Sequence, residues 1–149
     1  MQELNLPTYS FNIRGNKEIW DVVRKKYVAL TPEEWVRQHL LLYLIEAKKV
    51  PASLIAVEKS MKLNGLIKRA DVAVFENNGK AIMLIECKAP EVQISQKTFE
   101  QIAGYNMVYG VKYLLVSNGL EHYCAKVDFE EHEVRFLSEI PDYETMLAK

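Results

Sequence analysis

The sequence predicts an α/β fold: a mixed central β-sheet, made of a meander plus a parallel crossover strand, flanked by helices. Three observations predict it. A sharply capped amphipathic helix starts at Thr31; three apolar runs at 54–60, 66–75 and 81–88 are separated by Asn/Gly turns; and a helical stretch at 95–109 leads to the apolar run 112–116. A helix between two strands makes a crossover, so 81–88 and 112–116 are expected to run parallel in one sheet.

Taken in order, the chain begins with a short extended stretch around residues 9–13. Residues 17–28 (KEIWDVVRKKYV) carry Ile19, Val22 and Val23 at helical spacing and read as partly helical. The next helix has Thr31 as N-cap, Pro32 at its first position and Glu34 three residues after the cap, the pattern of a capping box. Val36, Leu40, Leu44 and Ala47 form its apolar stripe, Leu41 and Ile45 widen it, and Pro51 closes it. Asn64-Gly65 and Asn77-Asn78-Gly79 are the turns of the meander. The run KYLLV at 112–116 is continuously apolar, as suits a strand buried on both faces. Residues 121–128 and 133–137 make a final hairpin and 142–148 a short terminal helix.

At 149 residues the chain fits a single domain, residues 1–149, able to bury about two thirds of the surface its unfolded form exposes. Hydrophobic residues at 49% and charged residues at 26% exclude a disordered chain, and a net charge of −1 gives no global field toward nucleic acid. No run approaches a membrane span and the N-terminus lacks a signal-peptide pattern, so a cytoplasmic protein with no membrane association is expected. Cys87 and Cys124 lie in apolar segments without CxxC spacing and read as buried hydrophobes. The three histidines show no zinc-ligand spacing.

The chemistry concentrates in RADVAVFENNGKAIMLIECKAP, residues 69–90. Glu86 and Lys88 are two apart, so on a strand they share a face that Cys87 does not. A hairpin turning at 77–79 brings Asp71 close to Glu86. Two carboxylates on neighbouring strands, with the Cys87 carbonyl and waters, suit Mg²⁺, or Mn²⁺ in its place. A metal that activates water beside an ammonium is what phosphodiester hydrolysis requires. The competing reading is a solvated charge ladder on an exposed strand face, the commoner situation for any one such residue. It is disfavoured because ECK ends a run, AIMLI, that reads as buried.

Asp71 followed after a turn by Glu86-Cys87-Lys88 resembles the D-(x)n-(D/E)xK signature of the PD-(D/E)xK nuclease superfamily, whose core has a similar order of elements. More closely, LTPEEWVRQHLLLYL, RADVAVF, LIECKAP, QIAGYN and LLVSNG together resemble the N-terminal nuclease domain of type I restriction enzyme R subunits, over residues 17–125. The resemblance implies a restriction-endonuclease-like fold, Asp71 and Glu86 as metal ligands, Lys88 as the catalytic lysine, and Gln101 with Tyr105 as a QxxxY pair. It also places a glutamate of the first core helix near the metal. Glu34 has a capping task, so Glu33 is preferred and Glu34 held in reserve, with Arg37 four residues on as a partner for Glu33.

Lysines and arginines outnumber acids between 46 and 69, and Lys62, Lys68 and Arg69 are the residues expected to track a phosphate backbone. The chain has no GxxxxGK[ST] and no room for a DNA-translocating motor, so a separate motor or targeting protein is an expected partner beside DNA. Cutting both strands would favour a homodimer. The rival to a Mg²⁺-dependent deoxyribonuclease is a module that keeps the fold and binds nucleic acid or a partner without turnover.

Overall fold

Two sheets and three α-helices make up the computed structural model, which describes residues 2–148. The small N-terminal sheet contains β1 (Ile13–Arg14), β2 (Glu18–Asp21) and β3 (Lys26–Ala29) in the order β1-β2-β3, all antiparallel. Residues 17–28 are therefore a hairpin, not the partial helix their spacing suggested. Asp21 decides this: its Oδ1 accepts the backbone N–H groups of Val23 (2.8 Å) and Arg24 (2.7 Å), folding Val22 and Val23 into a turn. Across the hairpin Trp20 pairs with Tyr27 edge to face, ring centroids 5.2 Å apart.

Helix α1 (Pro32–Glu46) starts where the cap signal placed it, with Thr31 Oγ1 accepting the Glu34 N–H. The reciprocal half of the capping box does not form. The Thr31 N–H donates to the Ala29 carbonyl, and the Glu34 side chain turns inward instead. The helix ends at Glu46, well before Pro51, and the chain reverses through Lys49 in a left-handed conformation (φ 59°).

The main sheet orders its strands β4-β5-β6-β7-β8-β9, from β4 (Ile55–Leu63), β5 (Leu66–Phe75), β6 (Ala81–Cys87), β7 (Tyr113–Ser117), β8 (His122–Asp128) and β9 (Glu133–Leu137). All neighbours are antiparallel except β6 and β7, which run parallel as the crossover requires. Asn64 and Gly65 both adopt positive φ in the two-residue turn between β4 and β5. The crossover helix α2 (Gln96–Tyr109) is capped by Ser95 and ended by Gly110 at φ 73°. The short α3 (Tyr143–Leu147) follows β9, capped by Asp142.

The sheet separates two cores. On one face, Val36, Leu40, Leu41 and Leu44 of α1 pack with Val72, Val74, Met83, Ile85, Leu115 and Met146. Full burial of each such side chain is worth about 1.5–3 kcal/mol. On the other face, Phe99 and Ala103 of α2 pack on Leu114, Val116 and Ala125, while Ala70, Ala73, Ala81, Leu84 and Val111 form an adjoining cluster. Strand β7 is buried on both faces, as its apolar run predicted. Both cysteines are free and buried. Among the described residues no helix is long and apolar enough to cross a membrane.

Candidate functional site

Register brings the two predicted carboxylates together. Val72 pairs with Ile85, so Asp71 and Glu86 are next in line on β5 and β6. Asp71 Oδ2 accepts the Cys87 backbone N–H at 2.7 Å, which pins its carboxylate to the end of β6. Glu86 is largely shielded from solvent. Burial and the negative charge of Asp71 push its carboxyl above the ordinary glutamate value, while Lys68, with Nζ 3.0 Å from Glu86 Oε1, works in the opposite direction.

The Cys87 side chain is buried against the α1 core, so only its backbone is on offer to a metal. Its thiol is pushed well up, first by burial, then by the charge of Asp71, with Glu33 and Glu86 adding to the effect and Arg37 opposing it. Cys87 thus lies within electrostatic reach of three predicted acids. Lys88 follows directly after β6, half-buried, with its N–H donating to the Ser117 carbonyl at 2.8 Å. Among the described residues its ammonium makes no ion pair.

On the α2 side, a cavity of about 290 Å³ is lined by Lys68, Glu86, Ile102, Tyr105, Asn106 and Tyr109. Tyr105 therefore lines the same cavity as Glu86. Gln101 is exposed and outside that lining. Of the three residues expected to track phosphates, Lys62 is exposed, Arg69 is exposed with Nη2 3.5 Å from Glu58, and Lys68 is drawn onto Glu86.

On the α1 side, Glu33 is exposed and lines an open cavity of about 540 Å³ with Arg24, Glu34, Arg37, Glu58, Ala89 and Glu91. It does not join the carboxylate pair closely: among the described residues no three His, Cys, Asp or Glu side chains are close enough together to hold a metal ion. Arg37 pairs with Glu34, one turn back, and not with Glu33 as the four-residue spacing suggested.

That pairing belongs to a cluster the sequence reading missed. Glu34 accepts from Arg37 Nε (2.9 Å), Arg37 Nη2, Gln38 Nε2 (3.0 Å) and Arg24 Nη2 (3.2 Å), while Arg24 also binds Asp21 at 2.6 Å. Glu58 on β4 closes the cluster at 3.2 Å from Arg37 and 3.3 Å from Arg24. Burial raises the Glu34 carboxyl, but the hydrogen bonds from Arg37 and Gln38 outweigh it and hold it below the ordinary value. The available signal was the polar triplet Glu34, Arg37 and Gln38, spaced three and four apart on the core-facing side of α1.

A mixed sheet with one parallel crossover, helices on both faces and two opposed carboxylates at the end of the central strand defines a restriction-endonuclease-like α/β domain. The family model "Type I restriction enzyme R protein N terminus (HSDR_N)" matches residues 32–141, and the chain belongs to that family. Among solved structures, it is similar to a fragment assigned to the HsdR subunit of a type I restriction enzyme from Vibrio vulnificus YJ016, with a TM-score of 0.54 and 21% identity. The similarity covers 78% of this chain and 24% of that one, so the chain spans about a quarter of that relative's length. No curated protein matches the chain.

Proposed function

We propose that this chain is a Mg²⁺-dependent nuclease domain that hydrolyses DNA phosphodiester bonds. The observation that carries the reading is the Asp71/Glu86 pair, two carboxylates on adjacent strands with Asp71 fixed by the Cys87 N–H. Mg²⁺ is commonly held by one or two carboxylates and keeps several waters, so this donor set fits it without a third acid. The crowding of like charge that raises the Glu86 carboxyl is also what a divalent cation would relieve.

Asp71, Glu86 and the Cys87 carbonyl would hold the metal. Once bound, it would supply an acidified water and neutralise charge on the phosphoryl oxygens. Lys88, unpaired at the end of β6, orients the attacking water and stabilises the charge that develops. Tyr105 reaches toward Glu86 from α2, and Gln101 stands one turn before it to take a flanking phosphate. Glu33 acts from the α1 side through water. Lys62 and Arg69 contact the backbone of the duplex. A motor or targeting protein of a type I system is the partner this family membership favours.

The test is calorimetric titration of Mg²⁺ or Mn²⁺, with plasmid nicking on the same samples. Wild type binds and nicks, Glu86→Ala loses both, and Lys88→Ala binds but does not nick. A wild type that binds no metal, with or without DNA, sinks the reading. The second reading, a module with the fold but no turnover, is favoured by one observation: the Lys68 ammonium already pairs with Glu86.

A further inference from the structure

The carboxylate pair already has a cation beside it. The Lys68 and Glu86 side chains are 27% and 16% exposed, and the Lys68 ammonium stands 5.9 Å from the centroid of the Tyr109 ring. Simple strand alternation would not place it there. Val72 and Val74 of β5 pack into the α1-side core, whereas Ala70, of the same parity, packs with Ala73 on the α2 side.

Strand β4 switches faces at the same level. Ile55 and Val57 pack toward α1, and Met61 and Leu63 toward α2. Between them Glu58 has φ 50°, an uncommon conformation for a glutamate, and the strand pairing passes from Val57↔Val72 to Lys59↔Ala70. This interruption carries Lys68 to the face that holds Glu86.

We propose that Lys68 is the internal counter-ion of the Asp71/Glu86 pair and is displaced when a divalent cation binds there. The proposal rests on the reading of these carboxylates as cation ligands. An ammonium within 3.0 Å of a ligand oxygen both competes for that oxygen and repels the incoming metal. Without it, two neighbouring carboxylates in a largely shielded site would repel each other uncompensated. The displaced ammonium has somewhere to go, because the cavity beside it presents the Tyr105 and Tyr109 rings.

The experiment is Mn²⁺ titration by calorimetry and thermal unfolding, in EDTA and in saturating Mn²⁺, of wild type, Lys68→Met and Lys68→Arg. Lys68→Met keeps the apolar stem, and Lys68→Gln gives the same comparison if it fails to fold. Loss of the competing ion pair tightens Mn²⁺ binding of Lys68→Met by about threefold to fivefold, the range of a partly exposed pair. In EDTA its midpoint falls by about 2–4 °C, and Mn²⁺ closes the gap. Lys68→Arg behaves as wild type.

Unchanged or weaker Mn²⁺ binding by Lys68→Met, beside a wild type that binds, overturns the counter-ion role alone. A midpoint deficit that Mn²⁺ leaves in place does the same, since it marks a packing role. If neither wild type nor Lys68→Met binds Mn²⁺ while both are folded, the metal reading falls and this proposal with it.

Discussion

Glu33 and Glu34 are adjacent, chemically identical and both acidic residues of a helix first turn, yet their removal is expected to have very unequal consequences for stability. The Glu34 and Arg37 side chains are each 6% exposed. Glu34→Ala removes two hydrogen bonds from Arg37, one from Gln38 and one from Arg24. Arg37 is then left with Glu58 at 3.2 Å, a partner whose side chain is 39% exposed, and its Nη1 already has no hydrogen-bond partner among the described residues. Breaking a buried pair from one side costs about 3–5 kcal/mol, because the surviving charge is stranded. At about 2–4 °C per kcal/mol for a chain of this size, the melting midpoint falls by roughly 6–20 °C.

Glu33→Ala removes an exposed side chain with no ion pair among the described residues and shifts stability by no more than about 0.5 kcal/mol. Thermal and urea unfolding followed by circular dichroism measure both. Equal small losses from the two variants would refute the account of the cluster. The acid limb gives a second readout. The Glu34 carboxyl is held below its ordinary value of 4.5 in the folded state. Its contribution is therefore complete above that value and lost as pH falls through the lower folded one, so Glu34→Ala loses stability less steeply in acid than wild type.

Gly110→Ala combines a left-handed φ of 73° with a Cβ that would stand 2.8 Å from Asn64 Nδ2, and it is expected to cost about 1–3 kcal/mol by urea unfolding. Tyr105→Ala lowers plasmid nicking more than Gln101→Ala does, since only Tyr105 lines the cavity holding Glu86. Cys87 and Cys124 are buried with thiols pushed upward, Cys124 to about 12, so both resist a thiol reagent until the protein is denatured. Glu58→Gly is expected to be more stable than Glu58→Ala by about 1 kcal/mol, the reverse of the usual strand preference, because φ 50° suits glycine and both variants lose the arginine contacts equally.

The main sheet was legible wherever a local rule and the tertiary fold agreed. Thr31-Pro32 carries its own helix-start signal, Asn64-Gly65 turns by its own backbone preference, and a short apolar run between a helix and the Ser117-Asn118-Gly119 turn reads as a buried strand. Residues 17–28 failed because Ile19, Val22 and Val23 satisfy a helical period by coincidence. The side chain of Asp21, which closes the turn on its own backbone, carries the decisive information, and periodicity cannot see it. Glu34 failed similarly. Its capping role was inferred from spacing alone, but two arginines brought by different elements compete for the same carboxylate and win.

The nearness of Asp71 to Glu86 was readable because it follows from one turn, while their direct opposition depends on a register shift at Val74 and Phe75; the position of Lys68 was not readable. Counting by twos puts Lys68 in phase with Val72 and thus on the α1 face, away from Glu86. What moves it is Glu58, a residue ten positions earlier in the chain, whose left-handed backbone interrupts the pairing while its carboxylate bridges Arg24, Arg37 and Arg69. The buried cluster on the α1 face and the carboxylate site on the α2 face therefore both adjoin a single strand irregularity. A sequence pattern that keeps strict alternation through positions 58 and 71 would retain every residue of the signature and still lack the lysine at Glu86.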